Sequence, residues 1–480
     1  MRAPYFNIAV RSENAGHRPS AEDLVNAVIT ELKAGRLPAG GRLPPVRALE
    51  NQLGISKNTV QAAYDELVAR GLLETREREG VFVAQSPDAV PFEETQVAPP
   101  SPPLRPVPSI FRRVAPEGSI ALSTVLIDPE LLPRERVAEC ARSVLRTPGM
   151  QALSEFQGHY GLRELIAARL RKRGIDVSPT QVITTIGSQQ ALDVVARALD
   201  VRRIAVENPV YLHARALFEN HGLSLVPLQL DPFAGIALDR WEAALASSRP
   251  GLLYCITSFQ NPTGYSYSTH ELRSLLDIAA RHGVGLMEDD WGSDMLSGSD
   301  VRPALRALGG ENVLYVNSFT KKLLPSLRVG FIVAREDLVP ALVAQKRLST
   351  LGAPWLAEAT LSEFLDRGYF DTHLTALQEA LDRRYRRCLE TLRELMPGEV
   401  RFTTPGGGPT LWLDLPKRVD VRALAQVLLR RGVFIEDATP AFHGEPHLNG
   451  FRVSYAYLSE EKLRLGLEIA AEEIRRALAG

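Results

Sequence analysis

Cysteine is scarce in this chain: Cys140, Cys255 and Cys388 are the three among 480 residues, and no two of them show C-x-x-C spacing. That argues against a disulfide framework or a cysteine-rich zinc site, leaves no metal centre to expect, and makes a reducing cytoplasm the natural compartment. No apolar run approaches the ~20 residues that a membrane span needs. The first residues reach Arg11 and Glu13 before an apolar core forms, so no signal peptide is expected there. Neither charge is in excess, since 56 Lys+Arg face 57 Asp+Glu for a formal net charge of -1. A protein that coats nucleic acid indiscriminately is far more basic, so any DNA contact has to come from a local patch. Internal repeats are absent too. What is present, 45% hydrophobic and 24% charged residues, is the balance of a folded chain and excludes global disorder. The length asks for two or more domains.

A proline-crowded stretch, SPDAVPFEETQVAPPSPPLRPVPSIFRRVAPEG, divides the sequence. Proline lacks an amide donor and disfavours helix at the residue before it, so residues 85–117 read as an extended linker. A long surface loop is the weaker alternative, because structureless loops beyond ~12–15 residues are uncommon inside compact domains. The division is then 1–84, 85–117 and 118–480.

Before the linker, Leu24, Val28 and Leu32 form one helical stripe that Gly35 stops. VRALENQLG predicts a helix closed at Gly54, and ISKNTVQAAYDELVARG a second one opened by Ser56 and closed at Gly71. The short joint suits a helix-turn-helix whose second helix enters the major groove by its N-terminus. Ser56, Lys57, Asn58, Thr59 and Gln61 fall on that leading end, as side chains able to reach base edges and phosphates. LLETREREGVFV then reads as two short strands around a charged turn, a wing, with Arg76, Arg78 and Gly80 at its tip, where close backbone approach to the minor groove of DNA favours glycine. A helical hairpin alone is weak evidence. The whole run from RLPAGGRLPP to GVFV, however, resembles the winged helix of GntR-type regulators, an α+β domain. That resemblance implies contacts to operator DNA from Arg42, Arg47, Lys57 and Arg78, with Ser56 to Gln61 reading sequence. Residues 1–83 hold eleven Lys/Arg and ten Asp/Glu, one net positive charge, so affinity calls for more than one winged helix per operator.

After the linker, QVITTI, RIAVE, LSLVPLQL, LLYCITSF, VGLMED, VLYVNSF and RVGFIVA are short β-branched runs with helical or loop segments between most of them. They predict an α/β fold, a mostly parallel sheet with helices on both faces, whose ligands lie at the carboxyl ends of the strands. Four features sit at such ends. In NSFTKKLLPSLRVG, Lys321 follows a strand beside Ser318 and Thr320, with Arg328 seven positions on (328 − 321). A partly desolvated lysine forms Schiff bases, and the hydroxyls and arginine make a phosphate clamp. In MEDDWG, Asp289 leaves an apolar strand and could hold a protonated pyridine nitrogen. Gly187, Ser188 and Gln189 open a helix whose backbone amides suit phosphate. SFQNPTG reads as a strand ending in Asn261, whose amide can donate to a phenolate oxygen.

Any one of these is weak; in this order they resemble the fold-type I pyridoxal phosphate enzymes, specifically the class I/II aminotransferases, over residues 118–478, including a smaller C-terminal subdomain. The resemblance implies that Lys321 is the catalytic, aldimine-forming lysine, that Asp289 pairs with the pyridine nitrogen, and that Asn261 meets the ring 3-hydroxyl. It assigns Ser188, Gln189, Ser318 and Arg328 to the phosphate, beside the Gly187 and Thr320 already read from the sequence, Tyr211 in ENPVY to stacking on the ring, and Arg452 in GFRVSYA to an amino-acid carboxylate. Lys322 is a rival for the aldimine, with Ser-x-x-Lys and the spacing to Arg328 favouring Lys321. The family usually has tyrosine two residues after the aspartate; here stands Trp291, whose indole can donate but not accept.

A GntR winged helix joined by a linker to an aminotransferase-like domain is the layout of the MocR-type regulators, which this sequence resembles over nearly its whole length. The resemblance implies a cytoplasmic homodimer without membrane attachment. It would bind operator DNA and sense a small amino compound, or pyridoxal phosphate itself, through Lys321. The alternative is an active aminotransferase whose DNA-binding domain regulates its own gene.

Overall fold

The computed structural model describes residues 19–77, 79–84, 114–147, 155–296 and 302–479. Arg78 and most of the linker (85–113) lie outside them. The chain divides into two compact units, Met1–Arg105 and Pro106–Gly480.

In the first unit, helix α1 (Ala21–Lys33) begins where Ser20 and Asp23 cap each other's backbone amides reciprocally. Helix α2 (Val46–Leu53) stops at Gly54, whose φ of 62° is a left-handed conformation that a side chain would strain. Helix α3 (Lys57–Ala69) starts immediately after, with the Ser56 hydroxyl accepting from the Thr59 amide. Strands β1 (Leu73–Arg76) and β2 (Gly80–Val83) pair antiparallel, Leu73 opposite Val83 and Arg76 opposite Gly80. Leu24, Val28, Leu49, Val60, Tyr64, Leu67, Leu73 and Val83 close a core of their own. Tyr64 is the keystone: its buried hydroxyl donates to the Pro44 carbonyl at 2.7 Å, tying α3 to the chain before α2. This is the expected winged helix.

The second unit is built on an eight-stranded sheet in the order Val182–Thr185, Gly330–Val333, Val313–Ser318, Gly285–Asp289, Leu252–Cys255, Arg203–Asn208, Ser224–Asp231, Gly235–Ile236. The middle strands run parallel; Gly330–Val333 is antiparallel to both its neighbours, and the edge strand Gly235–Ile236 to its one. Strands Gly330–Val333, Val313–Ser318, Gly285–Asp289, Leu252–Cys255 and Arg203–Asn208 carry buried residues on both faces, as the unbroken β-branched runs require. A smaller layer follows. It holds the antiparallel strands Arg401–Phe402, Thr410–Asp414 and Gly450–Ser454, backed by helices Val421–Arg430 and Glu460–Ala479. The long helix Tyr369–Leu395 joins the two layers. Its Leu377 and Leu381 pack in the sheet core, and its Tyr385, Cys388 and Leu392 in the C-terminal core.

Two details differ from the sequence reading. Ile120–Ala121 forms a short parallel pairing with Val433–Phe434, so the first residues after the linker complete the C-terminal layer. The strand expected to end in Asn261 stops at Cys255. The next amide, Ile256 N–H, is taken by the buried Glu207 carboxylate at 3.0 Å rather than by the ladder. Asn261 therefore lies in a loop, six residues past the strand.

Candidate functional site

The carboxyl ends of the parallel strands open into one cavity of about 280 Å³. Asp289 ends its strand there, Tyr211 and Val210 follow Arg203–Asn208, and Ile256 follows Leu252–Cys255. Ser318, Thr320 and Lys321 leave Val313–Ser318 toward the same space, and Ser188 and Gln189 lie at the start of helix Gly187–Ala198. Asn261, Trp291, Arg328 and Arg452 complete the set. Of the cofactor and effector residues expected from the sequence, Gly187 alone is not in the lining, and it acts from behind. With φ at +75°, a Cβ added to it would stand 2.9 Å from Arg328 Nη2 and 3.2 Å from Thr320 Oγ1. Arg328, itself left-handed at φ 52°, donates to the Ile186 carbonyl at 3.2 Å. Arginine, threonine hydroxyl and helix N-terminus thus crowd around a glycine that leaves them room, as an anion cradle requires.

Two buried polar atoms in this cavity have no partner among the described residues: Asp289 Oδ1 and Thr320 Oγ1. Leaving such a group unsatisfied costs about 1–3 kcal/mol, so both mark places where a ligand's donors and acceptors belong. The other Asp289 oxygen accepts from the Tyr254 hydroxyl at 3.0 Å. Burial pushes the Asp289 carboxyl up to about 7, with Tyr254 pulling the other way and Asp290 adding to the rise. A cationic ring nitrogen facing Oδ1 would restore the charged form. Ser318 has less to offer than expected, since its hydroxyl donates to the Val329 carbonyl and accepts from the Thr320 amide.

Lys321 Nζ is largely buried and donates to the Val125 carbonyl at 2.9 Å. Burial lowers it to about 8, helped by the like charges of Arg452 and Arg328. Lys322 faces elsewhere: its Nζ sits between Asp294 and Asn317 Oδ1, the latter at 2.8 Å, and lines a separate cavity. The Trp291 indole N–H is also committed, donating to the Phe259 carbonyl at 3.1 Å. What Trp291 offers the cavity is an apolar surface, with no hydroxyl substitute. Burial raises the Tyr211 phenol above its usual range, so it stays neutral.

Several lining or supporting residues went unread in the sequence. Tyr254 was one residue inside an apolar run, and Val125 contributes only its backbone. Glu436 and Asp437 follow a short strand in VFIEDATPAF, the same signal that singled out Asp289. His213, two residues past Tyr211, lines the cavity with its imidazole held below its usual range by burial.

In the first unit, Lys57, Asn58 and Gln61 are exposed on the leading end of α3, and Arg47 is exposed on α2. Ser56 and Thr59 hydroxyls lie 2.8 Å apart, so this pair caps the helix as well as fronting it. Arg42 runs beneath Gly80, where an added Cβ would lie 3.5 Å from Arg42 Nε. The described residues hold no helix long and apolar enough to cross a membrane, and no metal-ligating cluster.

Comparison with known proteins joins the two units. The model of the aminotransferase class I and II family matches residues 127–469, and that of the bacterial regulatory proteins of the gntR family matches residues 20–83. The 2-aminoadipate transaminase of Thermus thermophilus is 33% identical over 76% of this chain and 91% of its own. The probable rhizopine catabolism regulatory protein MocR of Rhizobium meliloti is 29% identical over 94% of this chain and 92% of its own. Among solved structures, LysN, the alpha-aminoadipate aminotransferase of Thermus thermophilus, superposes with a TM-score of 0.70 at 31% identity, covering 76% of this chain and 94% of that one. The class I and II aminotransferases depend on pyridoxal phosphate. By its large unit the chain belongs to the aminotransferase class I and II family, and with the gntR winged helix on the same chain it is a MocR-type transcriptional regulator.

Proposed function

We propose that this regulator, divided at 1–84, 85–117 and 118–480, works in the cytoplasm as a homodimer. It reads operator DNA through the exposed end of α3, and it holds pyridoxal phosphate in the cavity as the receptor for a small amino compound. One observation carries the cofactor reading. A buried carboxylate oxygen without a partner, a lysine lowered to about 8 and an anion cradle all open into the same space. Bound there, pyridoxal phosphate supplies an aldehyde that captures amines and a ring that withdraws electrons. The chain's own part is to place it. Asp289 receives the ring nitrogen, Asn261 the ring oxygen, and Tyr211 and Trp291 border the ring. Ser188, Gln189, Thr320, Arg328 and the amides of the helix start take the phosphate, and Lys321 supplies the amine. An incoming amine competes with Lys321, and Arg452 stands where the rest of that molecule is received. The resulting bias on the protein can be no larger than the compound's differential affinity for two arrangements of the large unit, tenfold for each 1.4 kcal/mol or so.

The test titrates amino compounds into the operator-bound protein while following both DNA affinity and cofactor absorbance. The expected result is a shift in operator affinity with, at most, one stoichiometric conversion of the cofactor. Sustained turnover with an amino donor and a 2-oxo acid, with operator affinity unchanged, would establish the other reading, an aminotransferase with an autoregulatory DNA-binding unit.

A pH dependence follows from Lys321. Only the neutral amine attacks an aldehyde, and burial moves this lysine from 10.5 to about 8. Borohydride labelling of Lys321 after brief exposure of cofactor-free protein to pyridoxal phosphate is expected to rise with pH around a midpoint near that value. An exposed lysine titrates about two units higher, near 10.4.

A further inference from the structure

Arg452, the residue placed to receive an effector's carboxylate, already holds one. Its Nη2 donates to Glu436 Oε2 at 2.7 Å and to the Ser123 carbonyl at 2.7 Å; Nε reaches the same carbonyl at 3.3 Å, and Nη1 donates to Asn261 Oδ1 at 2.6 Å. A guanidinium has five N–H donors, and these four contacts leave one. A forked grip on a second carboxylate needs two parallel donors, so it requires Glu436 or a neighbour to let go.

The pairing is built into the backbone. The Glu436 amide donates to Ser123 Oγ at 3.0 Å, and Ser123 Oγ donates in turn to the Arg452 carbonyl at 2.7 Å. One serine thus fixes the main chains of both partners, and the pairing of Ile120–Ala121 with Val433–Phe434 sets Ser123 beside Glu436. The charges around the cavity agree. Lys321, Arg328 and Arg452 face Asp289, Glu436 and Asp437. In the cofactor reading proposed above, Arg328 serves the phosphate, Asp289 the ring nitrogen and Lys321 the aldehyde. Arg452 is then left against two acids, of which Asp437 also lies 3.4 Å from Arg422 and accepts from Thr439. The effector end of the cavity is balanced or acidic, and a ligand carboxylate arriving there meets like charge.

We infer that the effector is a primary amine whose far end carries hydrogen-bond donors, an ammonium or hydroxyl group facing Glu436, in place of the carboxylate of an amino acid. This rests on the cavity being the effector site. Three probes with the same four-carbon chain separate the possibilities: putrescine, 4-amino-1-butanol and 4-aminobutyrate. Their affinities are measured by calorimetry on the full-length protein, both loaded with pyridoxal phosphate and free of it. Wild type is expected to bind putrescine and the amino alcohol at least tenfold more tightly than 4-aminobutyrate. Glu436→Gln removes the charge and releases Arg452, and is expected to reverse the putrescine preference over 4-aminobutyrate by tenfold or more; Glu436→Ala should move the ratio the same way. A wild type that prefers 4-aminobutyrate, or a ratio that neither substitution changes, overturns the inference. Borohydride labelling of Lys321 in the same samples keeps the two readings apart. A missing label strikes the cofactor reading, while the ratio on the cofactor-free protein still decides the role of Glu436.

Discussion

Lys321→Ala protein is expected to lose the absorbance of the lysine-bound cofactor, to form no borohydride-reducible protein adduct with pyridoxal phosphate, and to keep its winged helix folded. Two lysines stand side by side at the end of strand Val313–Ser318, and the geometry separates them. Lys321 Nζ borders the 280 Å³ cavity and donates to a backbone carbonyl at 2.9 Å, and burial lowers its pKa to about 8. Lys322 is 1% exposed, has a carboxylate and an amide oxygen on its ammonium, and borders a different cavity of about 230 Å³. With its Nζ engaged by both partners and facing that second cavity, Lys322 is not placed to reach an aldehyde held in the first. Removing Lys321 therefore leaves no lysine beside the anion cradle among the described residues. The expected effect is complete loss of the reducible adduct, read by absorbance and by mass spectrometry of the reduced protein. The first unit has its own core from Leu24 to Val83, so operator binding should be largely retained. An adduct persisting on Lys322 would remove the assignment.

The fold was legible in the sequence to the extent that local chemistry determines it. Gly54 and Ser56 mark a helix end and a helix start two residues apart, and the chain turns there. The seven β-branched runs became strands because a sheet covered on both faces needs nothing else. At the site, Asp289 and Lys321 could be read because each follows a strand, and a strand end fixes where the next side chain can go. What could not be read depends on distant partners. Glu207 takes the Ile256 amide and ends a strand early, from 49 positions away. Phe259 offers the carbonyl that occupies the Trp291 N–H. Ser123 ties Glu436 to Arg452 across more than 300 positions. Each is a polar group satisfied by the tertiary fold, and sequence spacing carries no trace of such a choice.

Inserting half a helical turn between the two repeats of the operator is expected to cost most of the protein's affinity for it. The first 83 residues contribute one net positive charge, so one winged helix draws little on the phosphate backbone by itself. Two modules tethered to one dimer raise each other's effective concentration, and such linkage commonly multiplies affinity by about 10²–10⁴ when both sites can be engaged together. In the proposed homodimer, the contact falls to exposed apolar side chains of the large unit: Leu348 and Leu351 are 80% and 70% exposed, with Leu356, Phe156 and Tyr160 also among them. Large apolar side chains this exposed suit a contact with another protein surface. The operator should then hold two short repeats spaced by whole turns of about 10–10.5 base pairs. About five added base pairs turn one repeat to the far side of the duplex and reduce the complex to one engaged module, whereas a full added turn restores the facing and costs less, apart from any bending of the DNA. Affinity measured on the three spacings decides the matter together with sedimentation. A Leu348→Glu, Leu351→Glu protein is expected to sediment as a monomer and to bind all three operators equally weakly. Wild-type protein that binds all three with equal affinity, or that is monomeric at micromolar concentration, would sink the bivalent arrangement.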